Sequence, residues 1–177
     1  MDDSTAPQDT PPNASLNRDE LQDYLNHHLL GSRSGVRMFR TAADTWSGTP
    51  YEAEFKALTD QVSQMQDRLI ALIERLGLKQ STVENALGKA AEVAGRLNPV
   101  NLTRSKTKGM TQVELDILQG ALQGQAGMWQ VLGRLGELVP DGGLDREAMD
   151  TNYRRTLHLQ DEVRRISEET LNTRFLG

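Results

Sequence analysis

Apolar residues recur in alternating steps of four and three through the second quarter of the chain. The series runs Tyr51, Phe55, Leu58, Val62, Met65, Leu69, Leu72 and Leu76. Such steps place side chains on one face of an α-helix and are typical of the buried seam of a helical bundle. Asp60, Asp67 and Glu74 repeat every seven residues on the opposite face and are expected to face solvent. The chain must therefore supply other helices that cover this seam.

Capping sequences mark where those other helices begin. Asp145 is predicted to cap the last helix, with Leu144 and Met149 placed as a hydrophobic staple. Asn17 lies three residues before Glu20, and Thr49 lies three residues before Glu52, with Pro50 at the first helical position. A short polar residue followed three positions later by glutamate satisfies the free N–H groups of a helix start. With Ser81 and Thr111 as further caps, the sequence predicts helices at about 17–46, 50–76, 82–97, 111–139 and 145–176. No segment has the alternation of a β-strand, so the predicted class is all-α.

The lengths of the connections predict how the four long helices are arranged. Only a few residues join the first pair and the last pair, so each pair is expected to be an antiparallel hairpin. Residues 77–110 separate the hairpins, which is enough chain to return along a helix of about 42 Å. The expected fold is a four-helix bundle of two hairpins, joined by a long crossover that contains the short helix. Residues 16–177 would form this single domain.

Two glycine pairs hint at which helices face each other. Gly31 and Gly35 in the first helix, and Gly120 and Gly124 in the third, each leave three residues between them. Small residues at this spacing let two helix backbones approach closely, so the first and third helices are expected to meet. The alternative is that the spacing is a coincidence in helices that tolerate glycine.

Composition limits the function classes. The 177 residues carry a net charge of −5, which disfavours a specific nucleic-acid binder. The absence of cysteine excludes disulfides and thiolate metal sites. No apolar run is long enough for a membrane span, and residues 1–15 read as a disordered polar tail rather than a secretory signal. The expected location is the cytoplasm.

The helix order and the stretch LNHHLLGSRSGVRMFRTAADTWSGTPYEAEF resemble the ferritin-like superfamily, and within it small bacterial proteins of poorly defined role. The resemblance covers residues 16–176. It implies a carboxylate-bridged di-iron or di-manganese centre, used for oxidation or metal storage, whose ligands include two Glu-x-x-His motifs. This chain contains no Glu-x-x-His, so the resemblance rests on architecture alone.

Candidate metal ligands are nevertheless present around the seam of the first helix. This seam is predicted as Leu21, Leu25, His28, Ser32, Gly35, Phe39, Ala42 and Trp46. His28 has Glu20 and Asp23 within two turns, and Glu114 of the third helix is in phase with its apolar residues. For His28 the alternatives are a core histidine with a polar partner such as Gln125, or an exposed histidine on a helix rotated from this phase. For Glu114 the alternative is a glutamate that only caps its helix. His158 is expected on a solvated face.

The leading functional interpretation is a ferritin-like bundle without a standard di-metal site or cofactor, acting as a structural or interaction protein, with a role in stress as one option. A homodimer is expected because Trp46, Trp129 and two neighbouring apolar lines on the third helix exceed one narrow seam. The alternative is a metal-dependent oxidoreductase or storage protein that binds iron or manganese at a non-standard site. The sequence does not decide whether the protein is an enzyme.

A third interpretation is a helical adaptor that binds through its crossover. Arg96, Arg104, Lys106 and Lys108 form a basic patch there, in a stretch without acidic residues. Such a patch could bind phosphate or the acidic surface of a partner protein. The alternative is that these charges are simply solvated, as charged runs in connecting segments usually are.

Overall fold

The computed structural model describes residues 14–81 and 112–176. These residues form α1 (Arg18–Thr45), α2 (Glu52–Arg75), α3 (Gln112–Leu138), a 3-10 turn (Pro140–Gly142), α4 (Arg146–Glu169) and α5 (Leu171–Phe175). No strand occurs in either range, which confirms the all-α class. No helix within them is long and apolar enough to cross a membrane. The predicted helix at 82–97 and most of the predicted tail lie outside the described residues.

Two predicted caps and one glycine define helix ends in the structure. The side chain of Asn17 accepts a hydrogen bond from the Glu20 N–H at 3.2 Å and caps α1. Asp145 accepts one from the Ala148 N–H at 3.2 Å and caps α4. Gly77 follows α2 with φ +64°, a conformation that glycine adopts without the steric penalty of a side chain.

The start of α2 differs from the prediction. The helix begins at Glu52 rather than at Pro50, because the cap is shifted within the same four residues. The Thr49 hydroxyl accepts from the Tyr51 N–H at 3.2 Å, and the Glu52 carboxylate accepts from the Gly48 N–H at 2.7 Å. The two side chains still satisfy free N–H groups at the helix start, but each does so one residue earlier than a standard capping box requires.

The predicted helix 145–176 is divided into α4 and the five-residue α5. The break falls at Thr170, which has φ −101° and ψ 3°. The Thr170 hydroxyl donates to the Ile166 carbonyl at 2.6 Å, and the Thr170 N–H donates to the same oxygen at 3.1 Å. A threonine hydroxyl that bonds back to the preceding turn competes with the helical hydrogen bonds and favours a helix end.

Hydrogen bonds near the helix ends define the topology. Arg18, at the start of α1, donates to the carbonyl of Leu76 at 2.5 Å, so α1 begins where α2 ends. Gln112, at the start of α3, bonds Ser167 near the end of α4 at 2.9 Å. The chain therefore forms two antiparallel hairpins.

The two hairpins also have a defined orientation relative to each other. The Tyr51 hydroxyl donates to the Glu169 carboxylate at 3.2 Å, which places the start of α2 beside the end of α4. We call this the Tyr51 end of the bundle and the opposite one the Leu76 end. Because α2 ends at the Leu76 end and α3 begins beside the end of α4, residues 82–111 connect opposite ends of the bundle. Residues 81 and 112 are thus separated by the length of a long helix.

The apolar seam of α2 is confirmed, because its members from Phe55 to Leu76 are all buried. The seam predicted for α1 is partly wrong. Leu29 and Val36 are buried in the core, whereas His28 and Ser32 are only half-buried. The buried face of α1 is therefore rotated slightly away from His28. This rotation moves the histidine from the core to its edge.

The tryptophans that suggested a dimer are buried within the single chain. Trp46 is 5% exposed and stacks on Phe55, with ring centroids 5.2 Å apart, and Trp129 is fully buried. On the second apolar line of α3, Met128 is buried and only Val131 is markedly exposed, at 45%. The core thus accounts for the apolar residues on which the dimer was argued. The homodimer stays a prediction for sedimentation to test.

The facing of α1 and α3 is confirmed, but the glycine explanation is wrong. α1 packs against α3. Gly120 and Gly124 are exposed, and a Cβ added at these positions, or at Gly31 or Gly35, would meet no atom within 4 Å. A close backbone approach occurs instead at Gly136 of α3, where a Cβ would lie 2.6 Å from the Leu144 carbonyl oxygen.

Candidate functional site

Two of the predicted metal ligands lie on the surface of α1. Glu20 is exposed and belongs to the helix cap described above. Asp23 is also exposed, and its backbone carbonyl bonds the Nδ1 of His27 at 2.8 Å. Both carboxylates therefore face solvent near the Leu76 end rather than the interior of the bundle.

His28 is half-buried at the edge of the core. Its ring packs edge-on against Tyr24, with centroids 4.6 Å apart and planes at 68°. Burial lowers the pKa of His28, and the nearby charge of His27 lowers it further. Both causes favour the neutral imidazole. The environment of His28 is aromatic on one side and partly open on the other.

The remaining predicted residues are not brought to His28. Glu114 is half-buried in the first turn of α3, near the Tyr51 end, whereas Glu20 and Asp23 lie near the Leu76 end. Gln125 is half-buried on α3, and no hydrogen bond joins it to His28. Across the described ranges 14–81 and 112–176, no group of three His, Cys, Asp or Glu side chains is placed to hold a metal ion. Iron or manganese binding stays a prediction, to be tested by elemental analysis.

The basic patch predicted at Arg96, Arg104, Lys106 and Lys108 lies outside the described residues. The described residues contain a different concentration of positive charge, on the surface between α2 and α4. A groove of about 480 Å³ runs there. Its walls and floor are formed by Gln61, Gln64, Met65, Arg68, Thr151, Arg154, Arg155, His158 and Leu159. We call it the α2–α4 groove.

The floor and the rim of the α2–α4 groove differ in polarity. Met65 and Leu159 form an apolar floor and are 3% and 2% exposed. The rim residues Arg68, Arg154, Arg155 and His158 are all exposed, and no carboxylate of the described residues lines the groove. A floor that excludes water beneath several guanidinium groups strengthens the attraction of those groups for an anion.

The register of α2 and α4 explains why the charges collect there. Near the Tyr51 end, Arg165 of α4 forms an ion pair with Glu54 of α2. Because the helices are antiparallel, seven residues forward along α2 correspond to seven residues back along α4. Seven residues from Glu54 and Arg165, Gln61 therefore lies opposite His158. After seven more residues, Arg68 lies opposite Thr151. Thr151 thus stands where a carboxylate would be needed to neutralise Arg68.

Among the described residues, the arginines of the groove form no ion pair, as is also true of Arg33, Arg37 and Arg40 of α1, whereas Arg134, Arg146, Arg164 and Arg165 each form at least one. Within the residues that the structure describes, no carboxylate lies within ion-pair distance of Arg68, Arg154 or Arg155. In a second groove of about 410 Å³ between α3 and α4, by contrast, the arginines are paired. There Arg134 lies 2.7 Å from Glu137, and Arg146 lies 3.7 Å from Asp150.

Sequence reasoning missed the α2–α4 groove for a specific reason. His158 was correctly expected on a solvated face, and the neighbouring Arg154 and Arg155 are visible as a basic pair. These residues form one basic surface with Arg68 only because α4 packs against α2 in this register. The signal that could have found the groove is the seven-residue repeat of Glu54, Gln61 and Arg68, read against the reversed repeat of Arg165, His158 and Thr151.

Comparison with known proteins adds no relative. No protein-family model matches the chain. No curated protein and no solved structure matches it either.

Proposed function

We propose that this chain is a helical-bundle interaction protein that binds an acidic segment of a partner protein in the α2–α4 groove. The observation that carries the proposal is the set of three arginines above an apolar floor that have no acidic partner among the described residues. A guanidinium group matches the geometry of a carboxylate with two parallel hydrogen bonds, so arginines that lack an intramolecular partner are suited to a partner's aspartates and glutamates.

The shape and the overall charge favour an acidic protein segment over a nucleic acid. The floor of Met65 and Leu159 offers apolar contact for side chains, which a phosphate backbone does not provide. The net charge of −5 repels a long polyanion, whereas a short acidic segment meets mainly the local positive field. Such a complex is expected to form quickly and to weaken as salt is added.

The proposed architecture is ferritin-like, with the interaction role replacing a standard di-metal site. Two antiparallel hairpins whose connection joins opposite ends of the bundle support this assignment. A simple up-down bundle would place residues 81 and 112 at the same end.

The test is direct binding of an acidic probe. A fluorescein-labelled oligoglutamate peptide is titrated with the full chain, and fluorescence anisotropy gives its Kd. Changing Arg68→Gln together with Arg155→Gln is expected to weaken binding about tenfold or more, because each lost charge contact weakens the complex. The matched control changes the exposed Arg37→Gln and Arg40→Gln on α1, outside the groove.

The control separates local binding from general charge attraction. Both double variants lose the same net charge, so an equal loss of affinity in the two would contradict a groove-specific site. Binding that does not weaken with added salt would also contradict the proposal. Circular dichroism of each variant verifies that the helices are retained.

A further inference from the structure

We infer that residues 1–13 of this same chain occupy the α2–α4 groove and compete there with an acidic partner. This inference rests on the proposed function, because it assigns an intramolecular occupant to the same binding surface. The segment reads MDDSTAPQDTPPN and contains Asp2, Asp3 and Asp9 without any lysine or arginine. Its side-chain charge is opposite to that of Arg68, Arg154 and Arg155.

The segment joins the bundle at the correct end of the groove. Leu16 packs against the core and lies so close to Gly142 that a Cβ there would be 2.7 Å from Leu16 Cδ1. A Cβ on the adjacent Gly143 would lie 3.2 Å from a methyl carbon of Leu76. Residues 1–13 are therefore attached at the Leu76 end, between the end of α2 and the start of α4.

The length of the segment is sufficient to reach the arginines. Arg68 lies eight residues before Leu76, which is about 12 Å along the axis of α2. His158 lies level with Gln61, about 22 Å from the Leu76 level. Thirteen residues of extended chain span up to about 43 Å, so all the basic groups of the groove are within reach.

Charge distinguishes this segment from the other long segment of the chain. Residues 93–113 carry Arg96, Arg104, Lys106 and Lys108 without an acid, so they would be repelled by the groove. Attachment also gives residues 1–13 an effective concentration near millimolar, which lets a weak contact be populated in the free protein. The segment would thereby act as a built-in competitor that a stronger acidic partner displaces.

The contact can be detected directly because the chain has no cysteine. Ser4→Cys introduces a unique site for a nitroxide spin label, and paramagnetic relaxation enhancement is measured on the backbone amides. The expected result is strong broadening at Gln61, Gln64 and Arg68, with little broadening along α1 and α3. Changing Asp2→Asn, Asp3→Asn and Asp9→Asn in the labelled protein should remove most of it.

Mixing experiments separate this contact from a contact between two copies. Labelled protein without nitrogen-15 is mixed with unlabelled, nitrogen-15-enriched protein. Broadening at the groove in this mixture would show that a second copy supplies the segment and would contradict an intramolecular occupant. Broadening spread equally over all four long helices would contradict a defined site.

Competition tests the consequence for partner binding. The triple aspartate variant is expected to bind the oligoglutamate probe about tenfold more tightly than the wild type, because the intramolecular competitor is weakened. Unchanged affinity, with loss of binding on Arg68→Gln and Arg155→Gln, would overturn the inference and leave the proposed function standing. Absence of probe binding in the triple variant and in the wild type would instead overturn the proposed function.

Discussion

The two halves of the line where α2 meets α4 differ in their charges. At the Tyr51 end, Arg165 contacts Glu54, Glu162 and Glu169, with distances of 3.1 Å to Glu162 and 2.9 Å to Glu169. These glutamates raise the pKa of Arg165 above its ordinary value, with the hydrogen bonds to Glu169 as the largest cause. Towards the Leu76 end the groove carries Arg68, Arg154 and Arg155, and no described carboxylate lines it.

The difference separates arginines that form ion pairs within the bundle from arginines that form none with the described residues. Burial of apolar side chains on the floor contributes several kcal/mol, whereas exposed ion pairs typically contribute about 0–1 kcal/mol each. A bundle can therefore leave one half of its rim without counter-charges at little cost in stability. The unpaired half then retains its attraction for anions outside the bundle.

The largest effect is expected from the hydrophobic core beneath this line. Leu159→Ala removes a side chain that is 2% exposed and should lower the free energy of unfolding by about 2–4 kcal/mol. Leu58→Ala, nearer the Tyr51 end and equally buried at 2%, should cost a similar amount, since both side chains belong to the same hydrophobic core. Urea denaturation followed by circular dichroism measures both.

Leu157→Ala, on the half-buried side of α4, is the control and should cost clearly less than either. A loss below about 1 kcal/mol for Leu159→Ala would mean that this part of the floor is poorly packed.

Substitution of an arginine should lower stability more in the ion-paired half than in the groove, although both changes are smaller than those in the core. Arg165→Met removes three ion pairs at once and is expected to lower the free energy of unfolding by about 1–2 kcal/mol, less at high salt. Arg68 has no carboxylate within ion-pair distance in the described part of the chain. Arg68→Met should therefore change the free energy of unfolding by less than about 0.5 kcal/mol. Equal losses in the two variants, measured by urea denaturation, would remove the distinction between the halves.

A carboxylate added to the half without ion pairs should form an ion pair with its arginines. Thr151→Glu places one level with Arg68 and beside Arg154 and Arg155, so it should stabilise the protein by about 0.3–1 kcal/mol. The same change should weaken binding of the oligoglutamate probe severalfold, because the arginines then have an internal partner. Thr151→Gln matches the size and helix propensity without the charge and should do neither. Stabilisation by Gln as large as by Glu would assign the effect to helix propensity.

The sequence was sufficient for features that depend on one helix or on one connection. Asn17 and Asp145 cap their helices because the cap requires only neighbouring residues, and the seam of α2 follows from its own period. It was insufficient where two helices determine the outcome. The rotation of α1 that leaves His28 half-buried depends on how α1 packs against α2 and α3. The α2–α4 groove depends on the register of two helices that lie far apart in the chain.

Acid should weaken only the paired half, and this is the smallest effect expected. Hydrogen bonds from Arg165 lower the pKa of Glu169 below its ordinary value of 4.5. A carboxylate whose pKa is lower in the folded state stabilises the fold above its unfolded pKa, and this stabilisation is lost as the pH falls through the folded value. Carbon-13 NMR titration of the Glu169 carboxyl should therefore show a midpoint that rises in the Arg165→Met variant.

The neighbouring helices supply the control for this titration. Arg134 lowers the pKa of Glu137 on α3, far along the chain from Arg165, so the Glu137 midpoint should not change in the Arg165→Met variant. If both midpoints rise together, the change reflects the loss of one positive charge from the whole molecule rather than a local contact. A rise confined to Glu169 means that Arg165 acts on this carboxylate through a local contact. Opposite Arg68, by contrast, Thr151 carries no charge that could form such a contact.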